Sequence, residues 1–231
     1  MRALHFMKID YMLTRKQMYF MPALLVLAWV VGTGVSKGAM SLLVTCSYVA
    51  FVASIFSTAP FGYCVGKNRG FLLLLPATVK ERVAGRFLYG LSYVGLLGVF
   101  CGILWGVYAM MGYELPLWTV AIGLCELAVG ILIMALEFLF FYLFGEGKEN
   151  WQQLSNIVRI APGMAMFFCM TYFVEKNEEI QSTTVGGMGI DPEALSGKFM
   201  QVGVIAILAA LLLTAVAAAV CVKVIENRDY A

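Results

Sequence analysis

Residues 65–86, VGKNRGFLLLLPATVKERVAGR, place five cations and a short apolar run between two long uncharged segments. An excess of Lys and Arg beside membrane-spanning segments marks the side that stays in the cytoplasm. The apolar run 71–75 is too short to cross a bilayer, and Pro76 ends any helix that arrives from its N-terminal side. The stretch therefore predicts a cytoplasmic loop that holds a short interfacial helix and a turn, followed by a new helix that starts at Thr78 and enters the next span.

The composition of the chain is that of an integral membrane protein. Of its 231 residues 61% are hydrophobic and 13% are charged, whereas soluble domains carry roughly 25% charged residues. A span needs about 20 apolar residues, and we expect a fold that is all-α, with 1–231 as a single transmembrane domain of six spans. The uncharged windows that define them are 17–36, 38–66, 87–113 and 199–222, with two further spans at 115–145 and from about 156 to 174.

The distribution of charge predicts the orientation of these spans. Six spans put both termini on one side, and with the termini inside, thirteen Lys and Arg fall in the cytoplasm against three outside. Residues 1–16 then form either an amphipathic interface helix or a solvated leader with one anchoring face. No cleavable signal segment is expected at the N-terminus. Residues 175–198 form an external loop with a net charge of −3, in which Asp191, Pro192 and Glu193 predict the start of a helix that continues into the last span.

The loop also carries a family pattern: Leu-Leu-Leu-Pro, a small residue, Thr or Ser, any residue, Lys or Arg, then Glu, ahead of the third span. It resembles the bacterial ATP-binding-cassette type-2 permeases, and in particular the small six-span subgroup that includes the phenol-soluble-modulin exporter permeases. The resemblance implies a coupling helix at 71–81 that sits in a cleft of a separate ATPase subunit. The matching positions are Phe71, Leu72, Leu73, Leu74, Leu75, Pro76, Thr78, Lys80 and Glu81.

The same resemblance implies the cofactors, partners and location. ATP and Mg would be bound by the partner ATPase and not by this chain, the N-terminal interface helix would also touch that ATPase, and the protein would reside in the bacterial plasma membrane. The acidic residue that the family often has before the leucine run is absent, since Asn68 and Arg69 stand there. A basic, leucine-rich loop is also ordinary on the cytoplasmic side of any protein with several spans.

Small and charged residues inside the spans are candidate packing and pathway positions. Gly98, Gly102 and Gly106 form two overlapping G-x-x-x-G repeats, which predict a close helix contact within the chain or across a dimer. Glu126 and Glu137 share one face of the fourth span, about 16 Å apart. Charges at such depth need a partner or water. Glu137 could pair with Arg159, or both glutamates could line a polar pathway, for which Glu126 is the better candidate.

The sequence contains no pattern for catalysis, metal binding or nucleic-acid binding. No G-x-x-x-x-G-K-[ST] occurs, His5 is the only histidine, and the six cysteines lie singly in or beside apolar runs. One hypothesis is an exporter permease for hydrophobic or amphipathic cargo, built from two copies or one copy with a related permease, and driven by a cytoplasmic ATPase dimer. The alternative is a non-transporting immunity or sensor subunit that docks a soluble protein through the basic loop. An ion-coupled carrier is disfavoured, because the halves show no internal repeat.

Overall fold

The computed structural model describes residues 2–35, 38–63, 78–113, 115, 117–144 and 192–229, with isolated helical positions between 157 and 172. Throughout these residues the chain is helical or in short turns, in keeping with the all-α prediction. Seven helices have defined bounds: α1 (Arg2–Met18), α2 (Met21–Val35), α3 (Ala39–Ser57), α4 (Ala59–Tyr63), α5 (Val79–Met110), α6 (Leu117–Phe144) and α7 (Pro192–Asp229).

The N-terminal region is divided close to the predicted boundary between residues 1–16 and the window 17–36. Helix α1 covers the first segment, α2 lies within the second, and the two helices meet at a bend of 60°. Pro22 explains the break, because proline has no N–H to donate and its ring clashes with the carbonyl four residues earlier, here that of Met18. The 15 residues of α2 reach only about 22 Å at 1.5 Å per residue, which is less than the roughly 30 Å of a bilayer core.

Among the described residues, four helical segments are long and apolar enough to cross a membrane, and the bent pair α1–α2 makes five if it counts as one span. This supports a protein with several spans, while the number six remains a prediction. The start of α7 at Pro192 confirms the predicted helix start in the last part of the 175–198 loop. The four segments are Met40–Phe61, Val79–Met110, Thr119–Phe144 and Met200–Asn227.

The core lies where α3, α5 and α6 meet, with α7 packed along α6 and α1 along the first turns of α5. Large side chains that are almost fully buried fill this centre, including Tyr89 and Tyr93 from α5 and Met134 and Phe138 from α6. In contrast, α7 leaves most of its apolar side chains exposed in the chain by itself. Such a surface is compatible with lipid, where apolar side chains face hydrocarbon at no cost.

Candidate functional site

Residues 78–81, the last four of the predicted coupling segment 71–81, form the capped start of α5. The Thr78 backbone N–H and hydroxyl both donate to Glu81 Oε2, at 3.0 and 3.1 Å, and the Glu81 N–H donates to Thr78 Oγ1 at 3.3 Å. This reciprocal arrangement is a capping box, which satisfies backbone donors that a helix start leaves without partners. The predicted helix start at Thr78 is confirmed, and the Thr-x-x-Glu part of the motif has a structural role in fixing where α5 begins.

The rest of the coupling segment lies outside the described residues. This applies to Phe71, Leu72, Leu73, Leu74, Leu75 and Pro76. Lys80 is exposed on the first turn of α5, next to the capping box. The structure therefore locates the C-terminal end of the predicted coupling segment, and the interfacial helix at 71–75 remains a prediction.

Polar contacts join α1 to α5 directly beyond this helix start. Asp10 Oδ2 lies 3.7 Å from Arg86 Nε, which is an ion pair but too long for a hydrogen bond. The Tyr89 hydroxyl donates to Thr14 Oγ1 at 3.0 Å, and the guanidinium of Arg86 stacks on the ring of Phe61 at 4.7 Å. The start of α5 is thus linked to α1 and to α4 through charged and aromatic groups.

Sequence reasoning missed Asp10 and Thr14. It placed the apolar residues of 1–16 on the anchoring face, but the face of α1 that is buried against α5 includes both of these polar side chains. A signal was present, since Asp10 is the one acidic residue in a basic segment and stands one helical turn before Thr14.

Glu126 is buried between α3, α5 and α6 and borders a cavity of about 160 Å³. The Ser47 hydroxyl from α3 donates to Glu126 Oε1 at 2.8 Å. For Oε2, the described residues supply no hydrogen-bond partner. A buried carboxylate oxygen without a partner is costly in a membrane interior, so the site favours a group that can donate a hydrogen bond.

Trp105 of α5 lines the same cavity, and its indole Nε1 also has no hydrogen-bond partner among the described residues. The thiols of Cys46 and Cys101 line the cavity as well, and the remaining wall is mostly apolar. Within the described ranges, no group of three His, Cys, Asp or Glu side chains is placed to hold a metal ion. The cavity is therefore a mostly apolar pocket with a few polar side chains, a common composition for a small-molecule site.

Glu137 is also buried, with 1% of its surface exposed. Its predicted partner, Arg159, lies outside the described residues, so the pairing of these two side chains remains a prediction. Glu137 is not among the residues that line the cavity at Glu126. The two glutamates lie on the same helix, but the structure does not bring them to one site.

The glycine repeat on α5 makes close contact at only one of its three positions. A Cβ at Gly98 would meet the Leu127 side chain at 3.2 Å, whereas at Gly102 and Gly106 no atom of the described helices comes within 4 Å. Close approach occurs instead at glycines outside the repeat. At Gly85 a Cβ would lie 2.5 Å from Phe6 Cβ, and at Gly90 it would lie 2.5 Å from Met134 Sδ. Contact across a dimer at Gly102 and Gly106 remains a prediction.

Comparison with known proteins agrees with this arrangement of apolar helices. A family model described as ABC-2 family transporter protein matches residues 5–226, almost the whole chain. No curated protein and no solved structure matches the chain. The chain therefore belongs to the ABC-2 family of transporter proteins, and it is the membrane-spanning permease component of an ABC transporter, whose family is associated with an ABC ATPase.

Proposed function

We propose that this permease exports hydrophobic or amphipathic cargo, peptides included, and that a separate ATPase drives it through residues 71–81. The family match over residues 5–226 is the observation that carries the proposal. The absence of a phosphate-binding loop from the sequence supports the assignment of ATP and Mg to the partner subunit. The mostly apolar wall of the bundle around Glu126 supports apolar cargo.

The start of α5 supports a mechanical role for the loop. Thr78 and Glu81 fix the first turn of a 32-residue helix, α5, so a displacement of the preceding residues is passed to a rigid element. At 1.5 Å per residue this helix is about 48 Å long. It can therefore carry a movement from the loop across the whole bilayer.

Because α1 packs against the start of α5, a displacement of α5 by the loop would also move the N-terminal helix. Asp10 and Thr14 join α1 to Arg86 and Tyr89, within the first three turns of α5. Buried polar contacts of this kind hold two helices in one relative position, because separating them leaves charges and hydroxyls without partners. We expect α1 and the start of α5 to move together when the ATPase acts on the loop.

Copurification with the partner ATPase tests the coupling role. Leu73→Asp places a charge in the leucine run and should abolish copurification, because a hydrophobic surface that sits in a cleft does not tolerate an unpaired carboxylate. The matched control is Ile180→Asp, the same kind of change in the predicted external loop, which should leave copurification intact. Equal binding by both variants would contradict the coupling assignment.

A second pair of variants separates the cap from the charge at Glu81. Glu81→Gln keeps a side chain that can complete a capping box, whereas Glu81→Lys removes the cap and reverses the charge. If Glu81 acts mainly by fixing the start of α5, Glu81→Gln should retain ATP-driven transport and Glu81→Lys should lose it. If both variants fail equally, the charge itself contacts the ATPase.

The pathway is proposed to lie between two permease chains, either two copies or one copy and a related chain. The open position at Gly106, which does not line the cavity at Glu126, supports this arrangement, since small residues let helices of two chains approach closely. Glu126 is the proposed polar position on the pathway. The observation against this role would be a Glu126→Gln variant with unchanged transport and unchanged stability.

A further inference from the structure

The cavity beside Glu126 has the composition of a ligand site inside a single permease chain. It lies between α3, α5 and α6, and Leu43, Val94 and Leu97 contribute to its apolar wall. Glu126 is 4% exposed, and its Oε2 has no hydrogen-bond partner in the described part of the chain. Trp105 lines the same space, and its indole N–H is likewise without an acceptor in the described part of the chain.

The helix geometry turns these two groups toward each other. A Cβ at Gly98 of α5 would touch Leu127 of α6, and one at Gly90 would touch Met134, so the two helices run antiparallel. Trp105 and Glu126 are then offset by about six residues, or roughly 9 Å along the helix axes. Side chains of a helix lean toward its N-terminus, so in antiparallel helices these two lean into the interval between them.

We infer that this cavity binds a small apolar molecule that carries an ammonium group and, a few ångströms from it, a hydroxyl or carbonyl oxygen. The ammonium would donate to Glu126 Oε2, and the oxygen would accept from Trp105 Nε1. The volume of about 160 Å³ is close to that of engineered cavities that hold one benzene molecule. The ligand is therefore a molecule of this size or the end group of a larger one.

This inference deepens the proposed pathway role of Glu126. It rests on that role only where bound ligand is taken to be related to transport. Binding itself depends on the permease chain alone, and it can be measured without an ATPase. A permease that binds the ligand but does not copurify with an ATPase would contradict the coupling proposal only. A permease that copurifies but does not bind would contradict this inference only.

The probes are three compounds with the same branched carbon skeleton, titrated by calorimetry into the permease in nanodiscs, with empty nanodiscs as the blank. Leucinol carries both the ammonium and the hydroxyl, 4-methylpentan-2-amine lacks only the hydroxyl, and 4-methyl-1-pentanol lacks only the ammonium. We expect leucinol to bind tightest and the alcohol weakest. Equal affinity for all three would overturn the inference, because it would mean that only the apolar wall contributes.

Two variants assign the polar contacts. Glu126→Gln should lower the affinity for leucinol and for the amine by about tenfold or more, as expected for the loss of a charge-assisted hydrogen bond. The affinity for the alcohol should not change. Trp105→Phe should lower the affinity for leucinol by roughly two- to tenfold, the range for the loss of a neutral hydrogen bond. The affinity for the amine should not change. Glu226→Gln, a carboxylate near the C-terminal end of α7, is the control. Unchanged leucinol affinity in Glu126→Gln would refute the site.

A volume test does not depend on the charge. Gly102 lines the cavity and has no atom of the described helices within 4 Å of a Cβ, so the side chain of Gly102→Leu starts in open space and occupies part of the cavity. Gly95 on the same helix has the same open surroundings and does not line the cavity, which makes Gly95→Leu the matched control. Leucinol binding should be lost in the first variant and retained in the second. Binding retained in both would place the ligand elsewhere.

Thiol alkylation provides a readout in the unmodified chain. Cys101 lines the cavity, whereas Cys125 lies on α6 outside it. Leucinol should slow the reaction of Cys101 with N-ethylmaleimide and not that of Cys125, measured by peptide mass spectrometry. Equal rates with and without leucinol at Cys101 would contradict occupancy of the cavity.

The same ammonium chemistry occurs on free amines and on ethanolamine headgroups of lipids. Nanodiscs made with phosphatidylethanolamine and with phosphatidylglycerol distinguish these sources. If the lipid is the natural ligand, leucinol should bind more weakly in the ethanolamine nanodiscs, because the headgroup competes. Equal affinity for leucinol in the two kinds of nanodisc would assign the site to a free amine.

Discussion

At the scale of single residues, the contact of Asp10 with Arg86 joins two helices through charges with little exposure to solvent. The exposed fractions of the two side chains are 4% and 15%. Removing one member of such a pair leaves the other charge uncompensated, whereas replacing both members removes that penalty. The contribution of the Asp10–Arg86 pair to the stability of the protein can therefore be measured by substitution.

We predict that Arg86→Gln destabilises the protein by roughly 1–3 kcal/mol, less than for a fully buried pair because Arg86 is partly solvated. The double variant Asp10→Asn with Arg86→Gln should recover part of this loss, since the unpaired carboxylate is then gone. Thermal unfolding of the purified chain in detergent measures both effects. Additive losses in the double variant would show that the two side chains do not interact.

At the scale of helices, the contact between α1 and α5 depends on a residue without a side chain. Gly85 brings the two backbones so close that a Cβ would lie 2.7 Å from the carbonyl oxygen of Ala3. Backbone atoms cannot move aside as a flexible side chain can, so α1 would have to shift. The position also lies within two turns of the capped start of α5, where the proposed movement begins.

We predict that Gly85→Ala lowers the free energy of unfolding by roughly 1–3 kcal/mol, the usual cost of overpacking. Gly95→Ala on the same helix meets open space and should stabilise the protein by up to about 1 kcal/mol through helix propensity. Thermal unfolding compares the two variants. A Gly85→Ala protein as stable as Gly95→Ala would show that α1 does not pack on α5 as described.

At the scale of the whole molecule, the charge distribution orients the chain. Because cations are concentrated between the second and third predicted spans and near both termini, these parts should face the cytoplasm. We predict that green fluorescent protein fused to the C-terminus is fluorescent, and that alkaline phosphatase inserted after residue 185 is active. Phosphatase inserted after Gly70 should be inactive, and its activity there would invert the topology and exclude a cytoplasmic coupling loop.

The sequence by itself determined the features that depend on local chemistry. Uncharged runs of more than about 20 residues indicate membrane spans. The Thr78 and Glu81 pair has the capping-box pattern of a helix start, and Pro192 stands at the first position of α7. The break before α2 also has a local cause in Pro22.

Only the tertiary structure decided which helix faces meet. Close helix contact occurs at Gly85 and Gly90 and not at Gly102 and Gly106. Trp105 and Glu126 line the same cavity. These relations depend on how each helix is rotated about its axis against helices far away in the sequence. Spacing within one helix specifies which residues share a face, but the neighbouring helices decide which of those faces is buried.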